Sequence, residues 1–490
     1  MDIGKMYING EWILAKEQGT REIINPANGE VIKVVTEATE KDVEEAVMSA
    51  RRAFDSGLWS QLKPEVRATF LLKIAEEIEK SKEELAQLET INNGKPLGEA
   101  LSDVETAADA FRYYAGLTRT AFGETFDSSL DSMVVKQAVG VCALIVPWNF
   151  PLQMAAWKLA PCLAAGNVAV FKPAETTPLT AIKLFEIFEK VQLPKGVCNL
   201  VLGSGQAIGD LMTSHRGVNK ISFTGGTETG KKVMTNALQT MKKVTLELGG
   251  KSPIVVFPDT DLEKTAEYIM FASFLGAGQI CSAGSRLIVH ESISAELTSI
   301  LIKHTKKIVV GNGLDNSVQM GPIASIQHMN KVLGMVEKAR EDGAILLTGG
   351  HRITKAPLDK GSFIEPTIFM VEDNDIEIVQ EEVFGPVLVI QTFREEEEAV
   401  QLANSTKYGL AGAVFTKDFS RAIRMSKNIC SGTVWINKYH SVNNQLPWGG
   451  FNQSGFGRDL GKDAFNEYLE TKVIQMNLSN DALGFYDSFI

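Results

Sequence analysis

Short, continuously apolar runs recur along this chain, and the first two, at 140–146 and 167–171, show no polar alternation. A strand with water on one face alternates, whereas one covered on both faces does not, so both runs read as buried parallel strands. Residues 177–191 read as a helix opened by Pro178, at a position where the missing N–H would be unsatisfied anyway. Further strands of the same sheet fall at 199–202 and 220–223. A second series follows at 252–257, 285–289, 367–371, 387–393, 411–415 and 432–436. Two series of strands alternating with helices predict an α/β protein with two doubly wound, Rossmann-like domains. Residues 41–53 and 64–90 read as amphipathic helices and as scaffold. The acidic run 395–398 reads as the solvated start of a helix, where the helix dipole favours negative charge. Two short β-prone segments, 133–137 and 472–477, lie outside both series.

Composition narrows the class. A chain of 490 residues exceeds one compact core and suits two or three domains. Lys and Arg number 49 against 60 Asp and Glu, a net charge of −11, which argues against nucleic acid and anionic membranes as partners. No apolar stretch is long enough to span a bilayer, and the N-terminus lacks a basic region followed by an apolar one. Five cysteines do not make a disulfide framework. Cys142, Cys162 and Cys198 sit among apolar or small neighbours and read as core; Cys430 has no assigned role. A reducing cytoplasm fits such thiols. The six histidines show no metal-ligand spacing, and no Gly-x-Ser-x-Gly elbow occurs, which weighs against a serine hydrolase.

Four segments carry candidate chemistry. Cys281 lies among Gly278, Ser282, Ala283, Gly284 and Ser285. Small neighbours leave the sulfur approachable and backbone N–H groups free. A thiolate is a strong nucleophile once something lowers its pKa or takes its proton; taken alone, the same turn reads first as a tight helix start. Glu247, between Leu246 and Leu248 and before two glycines, reads as a desolvated general base or as a strand-end glutamate. Asn149, between Pro147 and Pro151, reads as an oxyanion donor or a turn cap. The strand at 220–223 runs into Thr224, Gly225, Gly226 and then a helix, the layout of a phosphate-cradling turn. It nearly spells a P-loop with Gly225, Gly230 and Lys231, but Lys232 stands where Ser or Thr would hold magnesium, which disfavours a nucleotide hydrolase. Gly203, Gly205 and Gly209 are a near-miss of the dinucleotide fingerprint.

Together, Asn149, Lys172, Glu175, the Gly225 turn, Glu247, Cys281 and the segment 381–386 stand in the order and spacing of the aldehyde dehydrogenase superfamily, which the chain resembles from 7–12 to 449–458. The resemblance implies oxidation of an aldehyde to a carboxylic acid with reduction of a nicotinamide cofactor. Cys281 would attack the aldehyde, passing through a thiohemiacetal and a thioester. Asn149 and the Cys281 N–H would hold the oxyanion, Glu247 would activate water, and Lys158 matches a family lysine near the site or forms a structural ion pair. It also implies a cofactor site built from Ile145, Pro147, Trp148, Lys172, Pro173, Ala174, Glu175, Gly205, Gly209, Phe223, Thr224, Gly225, Gly226, Thr229, Leu248, Gly249, Glu382 and Phe384. Glu175 matches a residue that holds the adenosine ribose. Its carboxylate accepts ribose hydroxyls and repels a 2′-phosphate, favouring NAD over NADP. Gly226 stands where many relatives have serine, a glycine that betaine-aldehyde-type members often share.

Substrate contacts are expected from Phe150, Trp157, Ile280, Ser282 and Trp448. Trp157 and Trp448 match an aromatic box suited to quaternary ammonium, but Phe150, Leu275 and the segment 437–445 depart from it. The expected substrate is therefore an unspecified aliphatic or aromatic aldehyde, with betaine aldehyde as the alternative. By resemblance, 1–119 with 138–249 form the NAD-binding domain and 250–453 the catalytic domain. Residues 120–137 and 467–490 form an arm that assembles a dimer or tetramer.

Overall fold

The computed structural model describes residues 3–121, 123–126, 132–478 and 484–485. Among these, an eight-stranded sheet has the order Gly455–Phe456, Lys243–Glu247, Lys220–Thr224, Val141–Ile145, Val168–Lys172, Cys198–Leu200, Met6–Ile8, Glu11–Ile13. The five middle strands are parallel. Four of them are buried along their whole length, the cause of the unbroken apolar runs. From Val141–Ile145 the chain moves outward on one side through two strands, then crosses to build the other side. At such a reversal a crevice opens outside the carboxyl ends of the strands. The register aligns those ends: Ile145 pairs with Lys172, and Thr224 with Glu247.

A seven-stranded sheet takes the second series, in the order Ile345–Thr348, Thr367–Met370, Val387–Phe393, Arg286–His290, Pro253–Val256, Ala411–Phe415, Thr433–Ile436. Six of these strands fall where the apolar pattern puts them, within one or two residues. The edge strand Ile345–Thr348 runs antiparallel and was not expected. It is half-exposed, so it lacks a buried run, and Gly349 and Gly350 end it in the left-handed region. The hairpin Met6–Ile8 with Glu11–Ile13 is likewise too short to show as a run. Its signal lies in the turn: Asn9 and Gly10 both have positive φ, the requirement of a type I′ hairpin.

The stretch 64–90 divides into Pro64–Lys80 and Lys82–Asn93, with Ser81 between them. The acidic run opens the helix Glu396–Ala403 with Glu395 as its cap. Cys142, Cys162 and Cys198 are buried. The two β-prone segments pair antiparallel, Ser132–Ala138 against Leu469–Gln475, with Glu124–Phe126 alongside, as a separate three-stranded sheet. Residues 122, 127–131, 479–483 and 486–490 of the expected arm lie outside the described residues.

Candidate active site

A cavity of about 400 Å³ occupies the crevice beyond the aligned strand ends. Most residues singled out in the sequence meet there: Ile145, Pro147, Trp148 and Asn149 from one loop, Lys172, Ala174 and Glu175 from the next, then Gly205. Phe223, Thr224, Gly225, Gly226 and Thr229 come from the glycine turn, and Leu248 and Gly249 follow Glu247. Cys281, Glu382 and Phe384 reach in from the other sheet's loops. Val146, Met154, His328 and Lys331 join them and were not foreseen. His328 and Lys331 lie on the helix Ile326–Glu341, whose sequence pattern shows no chemistry.

Other expected residues lie elsewhere. Pro173 belongs to a narrow crevice shared with Arg21 and Glu37. Gly209 ends a single wide helical turn, Gly205–Gly209, capped by the Ser204 hydroxyl. Lys158 is fully buried outside the cavity, its ammonium 2.9 Å from both Asp459 Oδ2 and Ser222 Oγ. Phe150, Trp157, Ile280, Ser282 and Trp448 also stand outside the cavity lining. Phe150 lies under the Lys95 ammonium at 4.3 Å.

Local chain geometry fixes the nucleophile. Gly276, Ala277 and Gly278 all have positive φ, so the chain turns sharply before Cys281. A Cβ on Gly278 would sit 2.1 Å from Gly385 O, and one on Gly250 would sit 2.5 Å from Cys281 O. The loops bearing base, nucleophile and Glu382 thus approach closer than any side chain permits. Asn149 Nδ2 donates to Gln279 O at 2.9 Å, tying the oxyanion candidate to the same turn. Cys281 is half-buried. Its small neighbours do not activate it: burial, then the carboxylates of Glu382 and Glu247, push the thiol up to about 12. Of the two routes the sequence left open, a lowered pKa or a base that takes the proton, this setting supports the second.

Glu247 ends its strand buried, with neither carboxylate oxygen hydrogen-bonded among the described residues. Burial pushes its pKa well up; Asp459 adds to this, while Lys158 and Arg458 oppose it. With no backbone N–H on either oxygen, the carboxyl is not a strand-end glutamate tied to its neighbours. Glu382 accepts the Gly250 N–H at 3.0 Å, and burial raises its pKa to about 7. A Cβ on Gly249 would lie 2.3 Å from Glu382 Oε2. Lys172 is buried 3.8 Å from Glu175 Oε2, and desolvation lowers its pKa.

The glycine turn leads from Lys220–Thr224 into the helix Thr227–Leu238, leaving backbone N–H groups at a helix start to face an anion. Gly226 has ordinary extended φ, and a Cβ there would meet nothing within 4 Å. Lys231 pairs at 2.7 Å with Glu228 on the exposed helix surface rather than reaching into the turn, which removes the P-loop reading on geometry as well as sequence. Among the described residues no group of His, Cys, Asp and Glu could hold a metal ion, and no helix is long and apolar enough to cross a membrane.

Behind the nucleophile turn lies an aromatic cluster. Trp157 and Trp448 are 6.5 Å apart between ring centroids, Trp448 and Trp435 6.2 Å, and Trp435 and Tyr439 4.5 Å. The Tyr439 hydroxyl donates to Ser282 O at 2.9 Å. Trp435 and Tyr439 were missed by sequence reasoning: Trp435 lies in the strand Thr433–Ile436, and Tyr439 in the segment 437–445 that departs from the expected box. Lys438 points to solvent, its ammonium 3.3 Å from Ser441 Oγ.

A model of the aldehyde dehydrogenase family matches residues 12–474. The chain belongs to the aldehyde dehydrogenase family. It is 48% identical over 486 residues to a betaine aldehyde dehydrogenase of Bacillus subtilis (strain 168), covering 99% of each. It is 44% identical to the peroxisomal aminoaldehyde dehydrogenase 1 of Pisum sativum, covering 98% of this chain and 97% of that one. A crystal structure of betaine aldehyde dehydrogenase from Staphylococcus aureus in complex with NAD+ superposes with a TM-score of 0.97 at 46% identity, covering 98% and 96% of the two chains. As a member of this family the chain is an oxidoreductase acting on the aldehyde group of its donor, with a nicotinamide dinucleotide as acceptor.

Proposed function

We propose that this aldehyde dehydrogenase acts on an aldehyde bearing an ammonium group, betaine aldehyde foremost, with NAD as acceptor. The observation that carries the substrate reading is the aromatic cluster joined to the nucleophile turn through Tyr439 and Ser282. Aromatic faces attract quaternary ammonium through the ring quadrupole. The outward Lys438 removes the objection that a cation near the pocket would repel such a substrate. Relatives named for betaine aldehyde and for aminoaldehydes support the same class.

The cavity fits a dinucleotide. Gly225 and Gly226 at a helix start suit the pyrophosphate, and Glu175 and Lys172 suit the adenosine ribose. Gly249 leaves room that a Cβ would fill against Glu382. When bound, the cofactor accepts hydride.

The chain's own residues account for the remaining steps. Glu247 takes the Cys281 proton directly or through water. The thiolate attacks the aldehyde carbon, a C–S bond forms and the carbonyl π pair moves to oxygen. That oxyanion is met by the second Asn149 N–H and the Cys281 backbone N–H. Hydride departs from carbon, and the oxygen pair re-forms C=O as a thioester. Glu247 passes the first proton to solvent and then accepts one from water; the resulting hydroxide attacks, the Cys281 thiolate leaves, and the acid formed loses its proton to solvent as the carboxylate product. Lys158 acts at one remove, through its pair with Asp459 and their opposed effects on Glu247.

In this reading 1–119 with 138–249 bind the cofactor and 250–453 carry the nucleophile. The arm of 120–137 and 467–490 joins copies into a dimer or tetramer, and the enzyme works in a reducing cytoplasm. The test is a panel of betaine aldehyde, ω-aminoaldehydes and neutral aliphatic and aromatic aldehydes, followed by the absorbance of reduced cofactor with NAD and NADP in turn. Higher kcat/KM for the charged aldehydes is expected; a preference for neutral ones would overturn the substrate reading.

A further inference from the structure

We propose that His328 is a positioning residue that fixes the backbone of Phe384 and so sets the wall of the cofactor cavity next to the nucleophile. The inference rests on the dinucleotide reading of that cavity. His328 stands in the first turn of the helix Ile326–Glu341, its N–H bonded to the capping Ser325 hydroxyl. Its Nε2 lies 2.6 Å from Phe384 O. A carbonyl only accepts, so Nε2 carries the proton. Burial lowers the imidazole pKa, the bond to the Phe384 carbonyl opposes this, and Lys331 adds to the lowering.

Phe384 sits at φ 57°, a conformation that a bulky residue holds only when its surroundings enforce it. The His328 bond is one such constraint. The ring is another: His328 stands edge-on to Trp148 at 5.1 Å and to Phe384 at 5.9 Å, while Trp148 and Phe384 meet at 5.2 Å. All three line the cavity. One turn further along the same helix, Val332 packs where a Cβ on Gly385 would be, at 2.8 Å. Gly385 O in turn abuts Gly278 of the Cys281 turn. Two residues before Phe384, Glu382 holds the Gly250 N–H. One helical turn thus grips the segment where cofactor wall, base loop and nucleophile turn meet. Hydride passes from the carbon on Cys281, so the nicotinamide end of the cofactor lies at this wall.

The test compares His328→Leu with His328→Gln, which keeps a donor within reach of Phe384 O. Protein fluorescence titration gives Kd for NAD+ and NADH, and steady-state kinetics gives KM for each substrate. His328→Leu is expected to weaken NAD+ binding roughly three- to tenfold, the loss of one buried hydrogen bond, with KM for the aldehyde changed less than about twofold. His328→Gln is expected to recover most of the affinity. Unchanged NAD+ binding in His328→Leu would overturn the inference, as would a Gln variant as defective as Leu or parallel rises in both KM values. Wild-type protein that binds no dinucleotide would instead overturn the function proposed above, and this inference with it.

Discussion

The buried pair Lys158–Asp459 offers a test in which two halves of one contact shift the same property in opposite directions. Glu247 has its pKa raised by burial first and by Asp459 second, and lowered by Lys158 and Arg458. A raised carboxyl pKa means that the base form grows as pH rises through it, so thioester hydrolysis should show an acid limb above the usual carboxylate range. Lys158→Met removes a lowering charge and should move that limb to higher pH. Asp459→Asn removes a raising charge and should move it to lower pH. The side chains are 0% and 3% exposed, so solvent screens little, and a shift of about one pH unit each way, about 1.4 kcal/mol, is expected. Stability should respond differently. Each variant leaves one buried charge without its partner, costing about 3–5 kcal/mol in both cases. The assay is rapid mixing of enzyme, aldehyde and NAD across pH, taking the NADH burst for acylation and the steady state for hydrolysis, beside thermal unfolding of each variant. A steady-state limb that shifts the same way in both variants, or in neither, would refute the electrostatic account of Glu247. Falling stability alone would leave the pair a structural element.

Cys281→Ala should abolish oxidation, with turnover down by several orders of magnitude, while NADH fluorescence titration shows cofactor binding retained. Gly278→Ala forces a Cβ to 2.1 Å from Gly385 O at φ 69°. A loss of more than about 2 kcal/mol in urea unfolding is expected, together with loss of turnover. Glu175→Gln should narrow the preference for NAD over NADP roughly tenfold, mainly by improving NADP binding; wild-type protein that already uses both equally would show that Lys172, 3.8 Å away, outweighs the carboxylate. In the empty enzyme, alkylation of Cys281 should accelerate with pH well beyond neutrality, because its thiol is pushed up to about 12; a plateau by pH 8 would show a thiolate already formed.

The sequence alone determined the layers and most of the residues that line the cavity. Strands covered on both faces are apolar on both, so the buried parallel strands Val141–Ile145 and Val168–Lys172 were legible as near-continuous apolar runs. Chemistry that needs a thiol, a carboxylate and close-approaching glycines leaves those residue types at fixed spacings, so Cys281, Glu247, Gly225 and Gly249 were legible too. What needed the tertiary structure is whatever arises between distant segments. Neither Asp459 nor Arg458 carries any local sign that it faces Glu247. His328 sits in an ordinary amphipathic helix, and only packing brings it to Phe384. Tyr439 reaches Ser282 across 157 positions. The direction of the thiol pKa needed the structure for the same reason. Small neighbours in sequence speak only to access, whereas desolvation and the charges of Glu382 and Glu247 are summed over space, and they act from loops that the chain order keeps far apart.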